Sequence, residues 1–168
     1  MTRLSLVLGV LLAASTLAAH AADPALSPQA NATYLADYAK KKGVFKRTSG
    51  LEYRIVQNGF GARPAATDIV TVYYKGQLIN GKVFDATEPG FPAEFPVNGL
   101  IPGWTEALQL MREGDHWELV IPASLAYGNR GAGDAVPPNQ TLVFDLTLVK
   151  VTHPPKDKDK DKDEGGGQ

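Results

Sequence analysis

The chain has no cysteine. Thiol nucleophiles, thiolate zinc sites and disulfide staples are therefore excluded, and the core must hold without covalent help. Histidine is nearly absent as well. His20 lies in the N-terminal run, His153 borders the C-terminal tail, and His116 stands alone on the polar side of a strand pattern. That gives no support to a Ser-His triad or a histidine metal site. No G-x-S-x-G, H-E-x-x-H or phosphate-cradling glycine loop occurs. A charge excess is missing too: 17 basic residues face 18 acidic ones, and 17 less Arg3 leaves 16 against 18 once the N-terminal run is discounted. Such a balance argues against nucleic acid or an anionic membrane as partner.

Long apolar runs are confined to the N-terminus. Arg3 gives a positive start, Leu4 to Leu17 is apolar apart from small residues, and Ala19-His20-Ala21 has the small-x-small form of a signal-peptidase site. A run of about 14 residues is short of the ~20 that span a bilayer. It reads as a cleaved secretory signal (1–21), with no stable membrane anchor, and places the mature chain in the periplasm or outside the cell. About 147 residues then remain, enough for one domain with extras. Two Asn-x-Thr triplets begin at Asn31 and Asn139, a pattern that arises often by chance.

Ser27-Pro28 opens a helix, with serine at the cap and proline at the first helical position. "QANATYLADYAKKKG" continues it to a stop at Gly43. Tyr34, Leu35 and Tyr38 give it one thin apolar stripe, so it docks on the body, pairs with a second copy, or frays. Residues 22–48 form this N-terminal segment. From Ser49 the apolar period becomes two: Leu51, Tyr53 and Ile55 alternate with Glu52 and Arg54. "DIVTVYYKGQLI" is a longer strand, Asn80-Gly81 a hairpin turn, and Lys82 to Phe84 the return. "AEFPV" is a brief edge-like piece broken by Pro96. "HWELVI" and "TLVFDLTLVKV" are two further strands. One helix interrupts them, with Trp104, Ala107, Leu108 and Met111 at i, i+3, i+4, i+7 before Gly114. The fold class expected is α+β: an antiparallel sheet of about five strands curled over one short helix, spanning 49–152. The rest (153–168), "HPPKDKDKDKDEGGGQ", lacks apolar residues for a core, and lysines interleave its acids where a calcium loop would need Gly and Glu at fixed places. It reads as a disordered polyampholyte.

What remains for chemistry is aromatic density near loops: Tyr74, Phe84, Trp104, Tyr127 and Phe144. Taken singly, each serves as core filler in so small a domain. Asp85 follows Phe84 at once, where a carboxylate acts as acid, base, metal ligand or polar anchor. A glycosidase-like pair with Glu88 or Glu94 would need a fixed separation that nothing in the sequence supplies.

The order of "VYYKG" (72–76), "GKVFD" (81–85), "LIPGWTEAL" (100–108) and "LAYGNRGAGDAVPPNQTLVFDLTLVKV" (125–151) resembles the FKBP-type peptidyl-prolyl cis-trans isomerases over about 49–151. Residues 31–56 further resemble the junction in secreted bacterial members of the macrophage infectivity potentiator and FkpA type. The resemblance implies a shallow apolar pocket, with Trp104 as floor, Tyr74, Phe84 and Phe144 as walls, Leu100 and Ile101 at the rim, and Val136 nearby. Tyr127 matches the tyrosine whose hydroxyl meets a ligand carbonyl, and Asp85 the single acid that points into the pocket. Asp85 then serves as an anchor that accepts from Tyr74; the other reading has it satisfied by turn amides. Ala93 stands where many eukaryotic relatives carry an aromatic wall.

As implied by the resemblance, the activity is rotation of X-Pro bonds during folding of exported proteins, with Asp85, Tyr127 and Trp104 catalytic and no cofactor or metal. Proline-containing unfolded or extended polypeptides are the implied substrates, and macrolides such as rapamycin the implied inhibitors. A non-catalytic holdase that binds unfolded exported chains is the alternative, in which removal of 22–46 spares isomerisation and harms client binding.

Overall fold

The computed structural model describes residues 23–154. The expected signal and residues 155–168 of the tail lie outside that range. Helix α1 spans Pro28–Tyr38. As expected, Ser27 caps it, its Oγ accepting from Ala30 N–H at 3.2 Å, with Pro28 in the first turn. It stops short of Gly43, because Lys40 and Lys41 N–H bond the carbonyls of Asp37 and Tyr38 three residues back. These bonds tighten the chain into turns.

Seven strands follow: β1 (Val44–Lys46), β2 (Glu52–Gln57), β3 (Ile69–Leu78), β4 (Val83–Ala86), β5 (Ala93–Pro96), β6 (His116–Ile121) and β7 (Leu142–Thr152), with helix α2 (Pro102–Leu110) between β5 and β6. All pairings are antiparallel, in the order β1-β2-β6-β7-β3-β4. The free side of β3 is shared: its first half pairs with β5 and its second half with β4. The expected five strands become seven by the addition of short β1 and by β5 joining the sheet. At the 78–82 hairpin, Leu78 N–H bonds Lys82 O and Gly81 takes φ +85°, the left-handed backbone that this turn requires.

Alternation assigns the two faces. Leu119, Ile121, Leu142, Phe144, Leu146 and Leu148 turn toward α2 and pack with Ala107, Leu108 and Met111, all fully buried but for Phe144 at its edge. Each such aliphatic side chain contributes roughly 1.5–3 kcal/mol on burial. Val120 and Val143 point the other way and are covered by Tyr38, with Tyr34, Leu35 and Val44 beside them. Helix α1 therefore docks on the body, on the face opposite α2.

That second cover corrects one expectation. Glu52 alternates as a solvent-facing residue in the sequence, yet it is 0% exposed. Its register partner on β1 is Lys46, whose Nζ sits 2.8 Å from Glu52 Oε1. A carboxylate so buried requires that charge. Helix α1 thus forms an outer layer on the sheet, and β1 is part of the sheet itself.

Candidate active site

Two neighbours on one strand normally point to opposite faces. Phe84 and Asp85 do not. The β3–β4 pairing runs Gly76↔Asp85 and then Gln77↔Val83, leaving Phe84 as the extra residue of a bulge. A bulge re-aims the side chains around it, and both residues face one cavity. Thr87 closes the end of this pairing away from the bulge: its hydroxyl accepts from Tyr74 N–H at 3.0 Å and donates to Tyr74 O at 3.2 Å.

The opposite wall comes from the start of α2. Pro102 sets the first turn, Trp104 N–H bonds Ile101 O at 2.9 Å, and the indole is delivered into the sheet at 4% exposure. Edge-on contacts fix it. Its ring lies 5.2 Å from Tyr74 at 87°, 5.2 Å from Phe144 at 80° and 6.2 Å from Phe95 at 86°. Phe84 and Phe144 meet at 5.6 Å and 89°. Such pairs add about 0.5–1.5 kcal/mol each beyond area burial. Gly76 makes room for them: a Cβ there would stand 2.7 Å from both Phe144 Cε1 and Phe84 Cζ, the close approach that a glycine within a strand marks.

The result is a cavity of about 280 Å³ lined by Tyr74, Phe84, Asp85, Phe95, Gly99, Leu100, Ile101, Trp104, Tyr127 and Phe144. Eight of the nine residues expected from sequence meet there. Val136 does not. Its backbone bridges Ala132 in both directions, at 2.8 and 3.2 Å, and its side chain joins the core. Phe95 and Gly99 were missed. Phe95 was findable, because it lies one strand period from Ala93 in "AEFPV". It supplies an aromatic wall in a strand where Ala93 stops short of the cavity.

Polar groups in the cavity are few. Tyr74 donates its hydroxyl to Asp85 Oδ2 at 2.6 Å. Among the described residues no backbone N–H donates to that carboxylate, so it is held by Tyr74 and not by turn amides. Burial pushes the Tyr74 hydroxyl well above its ordinary pKa, and the hydrogen bond to Asp85 and that residue's charge add to the rise. Tyr127 is raised as well, first by burial and then by the Asp85 charge. Both phenols therefore keep their protons at neutral pH and can donate. The Trp104 Nε1–H is buried without a partner.

Other carboxylates lie elsewhere: Glu94 accepts from Thr71 Oγ1 at 3.3 Å, and neither it nor Glu88 lines the cavity. The two described histidines bond elsewhere, His116 to Asp145 at 2.8 Å and His153 to Asp68 at 2.9 Å. Among the described residues no three acidic or histidine side chains converge as metal ligands.

A family model described as FKBP-type peptidyl-prolyl cis-trans isomerase matches residues 61–149. Over 119 residues the sequence is 56% identical to the FKBP-type 22 kDa peptidyl-prolyl cis-trans isomerase of Escherichia coli (strain K12), covering 70% of this chain and 58% of that protein. Over 119 residues it is 50% identical to the Outer membrane protein MIP of Legionella longbeachae, covering 70% of this chain and 51% of that one. The chain thus spans about half the length of these curated relatives. The crystal structure of a peptidyl-prolyl cis-trans isomerase from Pseudomonas syringae pv. tomato superposes with a TM-score of 0.71 at 39% identity, covering 74% of this chain and 92% of that one.

Proposed function

The chain belongs to the FKBP-type peptidyl-prolyl cis-trans isomerase family, and from that premise we propose that it accelerates rotation about X-Pro bonds in unfolded or extended polypeptides. The observation that carries this reading is a hollow walled by aromatic rings whose side-chain polar groups are two phenols, one indole N–H and one carboxylate.

Rotation about a peptide bond must cross ~18–20 kcal/mol, because conjugation is lost at the top. The planar amide is more polar than the twisted one, in which the nitrogen lone pair is localised, so water favours the ground state. A dry aromatic cavity withdraws that advantage. Catalysis is then tighter binding of the twisted form, with fixed groups in place of solvent. A millionfold acceleration asks for about 8 kcal/mol, and no bond is made or broken. Trp104 presents its face to the proline ring, Phe84, Phe95 and Phe144 exclude water, and the Tyr127 hydroxyl donates to the substrate carbonyl. Asp85 locks the Tyr74 ring and sets the field at the cavity.

The same reading assigns proline-containing exported proteins as substrates and rapamycin-type macrolides as competitors for the hollow. It puts the protein in the cell envelope, supported by the signal-like residues 1–21 and by the relative named an outer membrane protein. Among the described residues no helix is long and apolar enough to cross a membrane.

The test follows cis-to-trans exchange of an Ala-Leu-Pro-Phe-type peptide with the native chain and with Trp104→Leu/Tyr127→Phe. Far-UV and near-UV circular dichroism establish that the double variant is folded. A loss of at least about tenfold in kcat/KM, ~1.4 kcal/mol or more, is expected; undiminished exchange in a native fold would overturn the reading.

A further inference from the structure

Asn31 is a primary amide in the second turn of α1, yet it is only 5% exposed. Burying such a group stabilises a fold only when its donors and acceptor are used. Those of Asn31 are. Its Oδ1 accepts from Thr141 N–H at 2.7 Å, and its Nδ2 donates to Gln140 Oε1 at 3.1 Å, with Ser27 O at 3.0 Å and Leu26 O at 3.1 Å also in range. Gln140, 7% exposed, returns its own Nε2 to Leu26 O at 3.2 Å and Pro138 O at 3.0 Å. Two side-chain amides tie the start of α1 to residues 138–141.

That stretch is the closing end of the loop that carries Tyr127. Between the short turn at Ala123–Leu125 and β7 the loop has no strand. Backbone bonds hold it: Gly128 N–H to Ala123 O at 2.9 Å, Asn139 N–H to Gly128 O at 2.8 Å, and Gly131 N–H to Tyr127 O at 3.2 Å. Asn139 sits at φ +60°, the one non-glycine residue with positive φ among the described residues. Such backbone persists where its surroundings over-determine it, and the residues that follow it, Gln140 and Thr141, are the ones Asn31 grips. A continuous path therefore runs from Asn31 through Gln140 and Asn139 to Gly128, which adjoins Tyr127.

We propose that Asn31, acting with Gln140, is a positioning residue for Tyr127: the N-terminal helix locks the loop whose hydroxyl meets the substrate carbonyl. This rests on the isomerase reading above. It also gives the first Asn-x-Thr triplet a structural purpose, since a buried amide whose Oδ1 and Nδ2 are both engaged inside the protein is not open to glycosylation.

The rival is that the two amides simply staple α1 to the body, and a double-mutant cycle in the full chain separates the two. Asn31→Leu is expected to lower kcat/KM on the proline peptide about fivefold when Tyr127 is present, and less than about twofold in a Tyr127→Phe background, because a hydroxyl already removed cannot be misplaced. Amide hydrogen exchange at Gly131 and Asn139 should be at least about tenfold faster in Asn31→Leu, with Leu119 and Leu146 unchanged. An unaltered kcat/KM, an equal factor in both backgrounds, or unchanged loop exchange would overturn the proposal. Should Asn31→Leu not fold, Gln140→Met is put through the same cycle with the same expected outcomes, since it keeps the Asn31 bond to Thr141. An inactive native chain would instead sink the isomerase reading, whereas an active native chain indifferent to both substitutions would sink this inference alone.

Discussion

The Tyr74 hydroxyl reaches Asp85 at 2.6 Å from a strand position two residues away from Gly76, the backbone partner of Asp85. The contact is diagonal, and it exists because Asp85, paired with Gly76, lies on the same face of the sheet as Tyr74. Removing the carboxylate tests its role directly. In a folded Asp85→Leu variant the Tyr74 pKa should fall, since the hydrogen bond and the charge are both lost, while remaining above 10.0 because burial persists. Spectrophotometric titration of tyrosinate reads this. We expect kcat/KM on a proline peptide to fall about three- to tenfold, ~0.7–1.4 kcal/mol; unchanged turnover would leave Asp85 a purely structural anchor.

Phe95 is absent from the site residues expected from sequence, yet it braces both Tyr74, at 6.1 Å, and Trp104. Phe95→Ala should cost about 1–3 kcal/mol of stability, less than a fully buried phenylalanine because its ring is only partly buried. It should also weaken rapamycin binding more than Ala93→Gly does, since Ala93 does not touch the cavity. Denaturant midpoints and calorimetric titration measure the two effects.

Truncation to residue 47 strips Tyr38 from Val120 and Val143 and removes the Lys46 partner of buried Glu52. Together these losses come to several kcal/mol, and the melting temperature should drop by about 10 °C or more. The sequence reading expected this deletion to spare isomerisation. A truncated chain with native kcat/KM would bear that expectation out.

Asp68 adds a pH dependence to the stability. Its carboxylate accepts from Ala65 N–H and faces His153, and these hydrogen bonds hold its pKa below the ordinary 3.8. A depressed folded pKa contributes stability that is present above the unfolded value and lost as pH falls through the folded one. Asp68→Asn should therefore be less stable than the native chain at neutral pH. The gap should narrow below the ordinary carboxylate value, as thermal melts across an acid series would register. A gap independent of pH would contradict this.

Strands β6 and β7 were readable almost to the residue, because Trp117, Leu119 and Ile121, then Leu142 to Leu148, alternate cleanly over one buried face. The 78–82 hairpin was readable because Asn80-Gly81 marks a turn, although only Gly81 takes the left-handed backbone. Strand β1 was not: three residues between Gly43 and Ser49 are too few to show a period. Glu52 misled for a different reason, since alternation reports which face a residue takes but not that α1 and β1 cover the second face. The bulge at Phe84 was equally hidden, because it is a property of two strands in register. Val136 was assigned by motif, and the tight bridge to Ala132 turned it into the core.

Position 76 limits how this protein could be made hardier. The middle of a long strand is where a β-branched residue ordinarily raises thermal tolerance. Here any side chain would evict two phenyl rings and fill the hollow. Selection for a sturdier sheet and selection for an open cavity pull against each other at a single missing methyl group, so robustness has to come from substitutions elsewhere.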